Sequence, residues 1–143
     1  MQVFPGENTI LAWRAPIPKD IQEMFVSREK PNNPISINDC ELVAAIIALI
    51  VITDFLGKEK TRYSVFKIWV DNMSSLSWML RRSARPDLAS KLLLVLGERL
   101  ATWEFQLSQG HVPGVENCQA DVASRSYGKT MRGRIMSLCW MSD

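Results

Sequence analysis

The chain has 143 residues, of which 47% are hydrophobic and 22% are charged, and its formal net charge is +2. This length and composition suit one globular domain with a hydrophobic core and exclude a disordered chain. A net charge this small does not by itself indicate a nucleic-acid-binding protein.

The cysteines and the apolar runs predict an intracellular protein. The three cysteines lie far apart without a CxxC pair, and with a single His they do not predict a zinc site. We interpret them as reduced thiols of a cytoplasmic or nuclear protein. No charged and then apolar leader opens the chain, and the apolar run 42–52 is too short to cross a bilayer, so no membrane partner is expected.

The first part of the chain predicts a hairpin, a short helix and a loop. Residues 1–4 and 9–14 are short apolar stretches separated by a Pro-Gly turn, as in two strands of a hairpin. A proline then favours a short helix over residues 19–26, and residues 29–34 are typical of a loop.

The longest predicted helix follows this loop. Asn38, with Glu41 three residues later, has the spacing of a capping box, and the helix is expected to run to Leu56 and end at Gly57. Because it is apolar nearly all round, both of its faces should be covered. Residues 58–62 are predicted to form a basic, exposed turn.

The stretch from Ser64 to Asn72 predicts the central strand. Its residues are mostly β-branched or aromatic, as in a parallel strand that is covered on both faces. It brings Asp71 to the C-terminal end of the strand, where ligands gather in open α/β sheets. The alternative is that Asp71 and Asn72 only cap a helix that begins near Ser74, because Asp and Asn are ordinary N-cap residues.

The second half of the chain predicts two helices, a strand and a last helix. The expected ranges are 74–82, 86–104, 105–112 and 116–125. The inward-facing residues of the first two helices are predicted to be Leu76, Met79, Leu80, Leu88, Leu92, Val95, Leu96, Leu100 and Trp103. This order of elements predicts an α/β domain over residues 1–127, with a mixed sheet flanked by helices. Residues 128–143 form a basic and apolar tail without an assignment.

Three carboxylates fall at boundaries of predicted elements. Glu41 lies in the first turn of the long helix, Asp71 ends the central strand and Asp121 lies in the last helix. If they share one edge, a cation must relieve their repulsion, and hard oxygen ligands favour Mg²⁺ or Mn²⁺. Two such ions about 4 Å apart support phosphodiester hydrolysis. Taken singly, Glu41 also fits a capping box, and Asp121 also fits a helix-surface charge.

Three motifs around these acids resemble a known family. INDCELVAAIIAL (residues 37–49), IWVDNMSSLSWM (68–79) and HVPGVENCQADVASR (111–125) occur in this order. Together they are similar to the ribonuclease H-like domain that follows reverse transcriptase in retrotransposon polyproteins, and the last motif is the most specific. The resemblance spans residues 3–125.

The resemblance implies a ribonuclease H fold and a Mg²⁺- or Mn²⁺-dependent cleavage of RNA in RNA–DNA hybrids, beside an adjoining reverse transcriptase domain. It implies that Glu41, Asp71 and Asp121 are the catalytic metal ligands and that His111 is structural. Candidate contacts to nucleic acid are Asn72, Arg81, Arg82, Arg85 and Arg125. For the arginines, a solvated surface is an equally good interpretation.

The chain departs from the family's pattern at its N-terminus. The family's first strand, with its leading Asp, has no counterpart, so we expect an N-terminally truncated domain whose sheet has a gap or an exposed edge. Losing one of four ligands should weaken metal binding. Three alternatives therefore stay open: a metal-dependent endonuclease, a non-catalytic nucleic-acid-binding or connection module of the same fold, and a degenerate fragment.

Overall fold

The computed structural model describes residues 2–4, 10–116 and 135–141, which form a mixed α/β arrangement. In chain order the elements are β1 (Gln2–Phe4), β2 (Ile10–Pro16), α1 (Lys19–Glu23), α2 (Ile37–Leu56), α3 (Lys58–Thr61), β3 (Val65–Val70), α4 (Met73–Arg81), α5 (Asp87–Trp103), β4 (Gln106–His111) and β5 (Ile135–Met141). Among the described helices, none has the length and apolar character needed to cross a membrane. The predicted last helix, 116–125, lies almost entirely outside the described residues.

The strands form two separate sheets. In the first, β2 pairs antiparallel with β1 on one side and with β5 on the other. In the second, β3 pairs with β4 in parallel, from Val65 opposite Gln106 to Val70 opposite His111. No strand pairing joins the two sheets within the described residues. The predicted mixed sheet is therefore divided into an antiparallel and a parallel part, and the tail that had no assignment supplies β5.

Helix α2 holds the core together because it is apolar on nearly every side. Its residues Leu42, Ile46 and Leu49 are buried against Phe66 and Ile68 of β3, and α4 and α5 complete the same cluster. The helix ends at Gly57, as predicted, in a left-handed backbone conformation with φ 77° that glycine adopts without strain.

The N-cap of α2 is Ser36, so the predicted capping box of Asn38 and Glu41 was wrong. The Ser36 hydroxyl accepts a hydrogen bond from the Asp39 backbone N–H at 3.3 Å, and Asp39 Oδ2 accepts one from the Ser36 N–H at 2.8 Å. Ser36 and Asp39 have the same spacing two residues earlier, and they make the box. Asp39 is buried, and its Oδ1 has no hydrogen-bond partner among the described residues.

One face of β3 is open, so the prediction of a strand covered on both faces was wrong. Phe66, Ile68 and Val70 face the core, whereas Val65 and Trp69 are 65% and 52% exposed. The reason is that the core residues of α2, α4 and α5 all pack against the same face of the strand.

Several smaller predictions also need correction. Helix α1 ends at Glu23, and the predicted turn after Gly57 is the one-turn helix α3, whose Thr61 is buried and donates to the Gly57 carbonyl at 2.8 Å. Leu80 and Val95 were predicted to face inward but are exposed. Met79 and Leu96 are buried as predicted, and Leu93 is buried although it was not predicted to be. The buried stripe of each helix is therefore narrower than its apolar pattern.

A charged and aromatic cluster ties the C-terminal part of α2 to α5. Arg99 donates to the hydroxyl of Thr53 at 2.7 Å, forms an ion pair with Asp54 and lies 3.5 Å from the centre of the Trp103 ring. Thr53 is fully buried and donates in turn to the Leu49 carbonyl at 2.8 Å. Every polar group named here therefore has a partner of complementary charge or hydrogen-bonding type.

Candidate functional site

Two of the predicted acids lie within electrostatic reach of one another near the carboxyl end of β3. The strand ends at Val70, so Asp71 is the first residue beyond it, and Glu41 lies in the first turns of α2. Burial, and secondly the negative charge of Asp71, raise the pKa of the Glu41 carboxyl above its ordinary value of 4.5. The effect of Asp71 on Glu41 means that the two carboxylates lie within electrostatic reach, although they are distant in sequence.

A hydrogen-bonded framework joins residues next to this pair in the chain and on α2. Asn72 Oδ1 accepts from the Ser75 backbone N–H at 2.9 Å and thereby caps α4, while Asn72 Nδ2 donates to Asn38 Oδ1 at 2.8 Å. Ser75 is fully buried, and its hydroxyl donates to the Asn38 carbonyl at 2.8 Å. The cap that was the alternative interpretation at this position is thus real, but Asn72 supplies it and Asp71 does not.

His111 lies beside the same strand end. It is the last residue of β4, and its Nε2 is 3.3 Å from the Asp71 carbonyl oxygen. The imidazole therefore contacts the backbone of Asp71, which is the kind of contact expected of a structural histidine. It helps to hold the ends of β3 and β4 together at the edge where the carboxylates lie.

The third predicted acid, Asp121, and the predicted contact residue Arg125 lie outside the described residues. Among the residues that the structure does describe, no group of three or more His, Cys, Asp or Glu side chains is placed to hold a metal. Because Mg²⁺ keeps several waters and is commonly held by one or two carboxylates, Glu41 and Asp71 are the described residues that could hold such an ion.

The basic residues lie at a distance from this pair. Arg81 is the last residue of α4, Arg82 caps the helix in a left-handed conformation and Arg85 follows in the next turn; all three are exposed. Since α4 starts beside Asp71, the length of this nine-residue helix separates them from the carboxylates, about 13 Å at the usual rise per residue. Measured along the duplex axis, that is close to the rise of four charges of one strand, at about 3.4 Å each.

Comparison of the chain with family models, with curated proteins and with solved structures gives no match. The function of the chain is therefore inferred from the geometry of these side chains and from the three motifs.

Sequence reasoning missed two members of the site framework, Asn38 and Ser75. Asn38 was assigned to the helix cap, so its side chain was not considered as part of the site. The signal that could have corrected it is Ser36 with Asp39, which satisfies the capping pattern and leaves the Asn38 amide available.

Proposed function

We propose that this chain is a ribonuclease H-like domain of a retroelement polyprotein that cleaves the RNA strand of RNA–DNA hybrids with a divalent cation. One observation carries the proposal: Glu41 and Asp71, the acids of two separate motifs, approach one another at the carboxyl end of a parallel strand. A like-charged pair that is partly buried destabilises a fold, and such pairs are typical of functional sites.

The order of elements supports the same proposal. An antiparallel hairpin, a long apolar helix, a strand, further helices and a second strand parallel to the first occur in the order that the motifs imply.

Within this proposal the described residues have distinct roles. Glu41 and Asp71 would hold Mg²⁺ or Mn²⁺, which activates water and stabilises the leaving oxygen in phosphodiester hydrolysis. Asp71 is exposed, so a phosphate can approach from its side, whereas Glu41 is half-buried. Asp121 remains the predicted third ligand. Arg81, Arg82, Arg85 and Arg125 remain predicted backbone contacts. Asn72 already uses its Oδ1 and one N–H inside the protein, which favours a structural role for it.

A cleavage assay tests the enzymatic proposal. Wild-type protein should cut an end-labelled RNA–DNA hybrid in Mg²⁺ or Mn²⁺, and EDTA, Asp71→Asn and Glu41→Gln should each abolish cutting. Asp87→Asn is the matched control, because Asp87 is an exposed carboxylate in a surface ion pair with Lys91 and should be dispensable. Absence of cutting by the wild type under both metals would remove the enzyme from consideration.

Cation binding can be measured separately from cleavage. If Asp71 is a ligand, Mg²⁺ should raise the melting temperature of the wild type and leave that of Asp71→Asn unchanged. An equal rise in both proteins would mean that Asp71 does not hold the ion.

The second candidate function is a non-catalytic nucleic-acid-binding or connection module of the same fold. The observation in its favour is that the described residues supply two carboxylates, fewer than the four ligands of the family. They also include the exposed Arg81, Arg82 and Arg85. Hybrid binding should then weaken as salt rises, with a log–log slope of about 0.9 per phosphate contact. Replacing the three arginines by Gln should flatten the slope, and Asp71→Asn should not change it.

A further inference from the structure

The approach of Glu41 to Asp71 requires other contacts, because two carboxylates repel one another. Asn38 lies three residues before Glu41 on α2, and residues at this spacing are neighbours on one face of a helix. Asn72 follows Asp71 directly in the chain. The 2.8 Å hydrogen bond between the Asn38 and Asn72 side chains therefore joins the immediate neighbours of the two acids.

A second bond makes this junction rigid. The hydroxyl of the buried Ser75 donates to the backbone carbonyl of Asn38 at 2.8 Å, and Ser75 is itself held by Asn72, which accepts from its backbone N–H. The first turn of α2 is thus attached to the first turn of α4 through both the side chain and the main chain of Asn38. Because α4 begins just after Asp71, the attachment also fixes α2 against the end of β3.

We infer that Asn38 is a positioning residue that sets the separation of the Glu41 and Asp71 carboxylates; the inference rests on the proposed function of that pair. An amide suits this role because it accepts the hydrogen bond without adding charge. Asp at this position would place a third negative charge beside the pair, and Ala would leave Asn72 without its acceptor.

Cation affinity provides the first test. Asn38→Ala should weaken binding of Mn²⁺ to the protein by about tenfold, the lower end of what is lost when the partners behind metal ligands are removed. Ser36→Ala is the matched control: it removes the cap of the same helix, and so lowers its stability, but leaves the bonds of Asn38 intact. Its Mn²⁺ dissociation constant should stay within about twofold of the wild type. Equal weakening in both variants would overturn the inference, because Asn38 would then act only through helix stability.

A second test needs no cation. In EDTA, a double-mutant cycle of Glu41→Gln and Asp71→Asn measures the repulsion between the two carboxylates separately from their other contacts. In an Asn38→Ala background the coupling should fall to half or less, because the carboxylates are no longer held together. An unchanged coupling would contradict the role of Asn38. If the wild type binds no Mn²⁺, the proposed function fails, and this comparison still decides whether Asn38 positions the pair.

Discussion

The charged residues near the two ends of helix α2 have neighbours of different charge. Near the C-terminal end, Asp54 is paired with Arg99, which also bonds to Thr53 and lies over the Trp103 ring. Near the N-terminal end, burial and secondly the like charge of Asp71 raise the pKa of Glu41.

This difference separates a structural cluster from a candidate functional one. At the Arg99 end each charge has an opposite partner, so the contacts stabilise the packing of α2 on α5. At the Glu41 end, burial and the negative charge of Asp71 both disfavour the ionised form of Glu41, so its charge lowers the stability of the fold. Removing the Arg99 side chain should therefore lower the free energy of unfolding, whereas removing the charge of Glu41 should raise it.

The largest effect is expected from Ile46→Asp, which destroys the helix that both ends share. Ile46 is 4% exposed in the middle of the core, and an unpaired buried charge costs several kcal/mol, roughly 3–5 where a partner has been lost. This is comparable to the whole stability of a typical domain, about 5–15 kcal/mol. Circular dichroism and urea unfolding should show an unfolded chain.

Phe55→Asp is the control for Ile46→Asp because Phe55 is on the same helix but 47% exposed. It should lower stability by less than about 1 kcal/mol. A soluble Ile46→Asp protein that melts cooperatively would mean that α2 is not central to the fold.

Breaking the charged and aromatic cluster around Arg99 should have the next largest effect on stability. Arg99→Ala removes a hydrogen bond to the buried Thr53, the ion pair with Asp54 and the contact with Trp103. We expect a loss of about 2–3 kcal/mol in urea unfolding, mostly from the hydrogen bond and the ring contact, since the ion pair is partly exposed to solvent.

Lys91→Ala provides the comparison for Arg99→Ala, since the ion pair of Lys91 with Asp87 lies on the surface of the same helix. Its loss should be about 0.5 kcal/mol or less. If the two variants lose similar amounts, the Arg99 cluster is no more than another surface contact.

The smallest effect, and the one of opposite sign, is expected at the N-terminal end. Because the folded state raises the pKa of Glu41 above 4.5, the unfolded chain releases this proton first as pH rises. Below the pKa of Glu41 in the unfolded chain, ionisation of Glu41 therefore does not change the free energy of unfolding. As pH rises from that value through the higher pKa of the folded state, it lowers the free energy of unfolding. Above that range, Glu41→Gln should be more stable than the wild type.

Urea midpoints measured in EDTA from pH 4 to pH 7 would test this prediction. The curves of wild type and Glu41→Gln should meet at the acid end and separate toward neutral pH. Parallel curves would show that Glu41 is not perturbed by burial and by Asp71.

Local signals predicted much of the fold. The extent of α2 and its end at Gly57, the strand that precedes Asp71, and helix α5 after Pro86 were all evident from residue type and spacing. Positions that depend on neighbours were harder. Asn38 and Ser36 are both acceptable N-cap residues, and the start of the helix in the folded structure makes Ser36 the cap. Leu80 is apolar but faces solvent, because the buried stripe of α4 is narrow.

The candidate site was only partly predictable for the same reason. Each acid was found from its place at the boundary of an element, but no sequence spacing states that Glu41 and Asp71 approach one another.

The sequence by itself determined the helices and strands around Glu41 and Asp71, because capping, turn residues and apolar periodicity act over a few neighbouring positions. Tertiary structure alone decided which face of β3 is covered, that the chain's last strand pairs with β2, and that Asn38 bonds to Asn72 beside a pair of repelling carboxylates. Those outcomes depend on contacts between residues far apart in the chain, whose free energies are settled only when the elements pack.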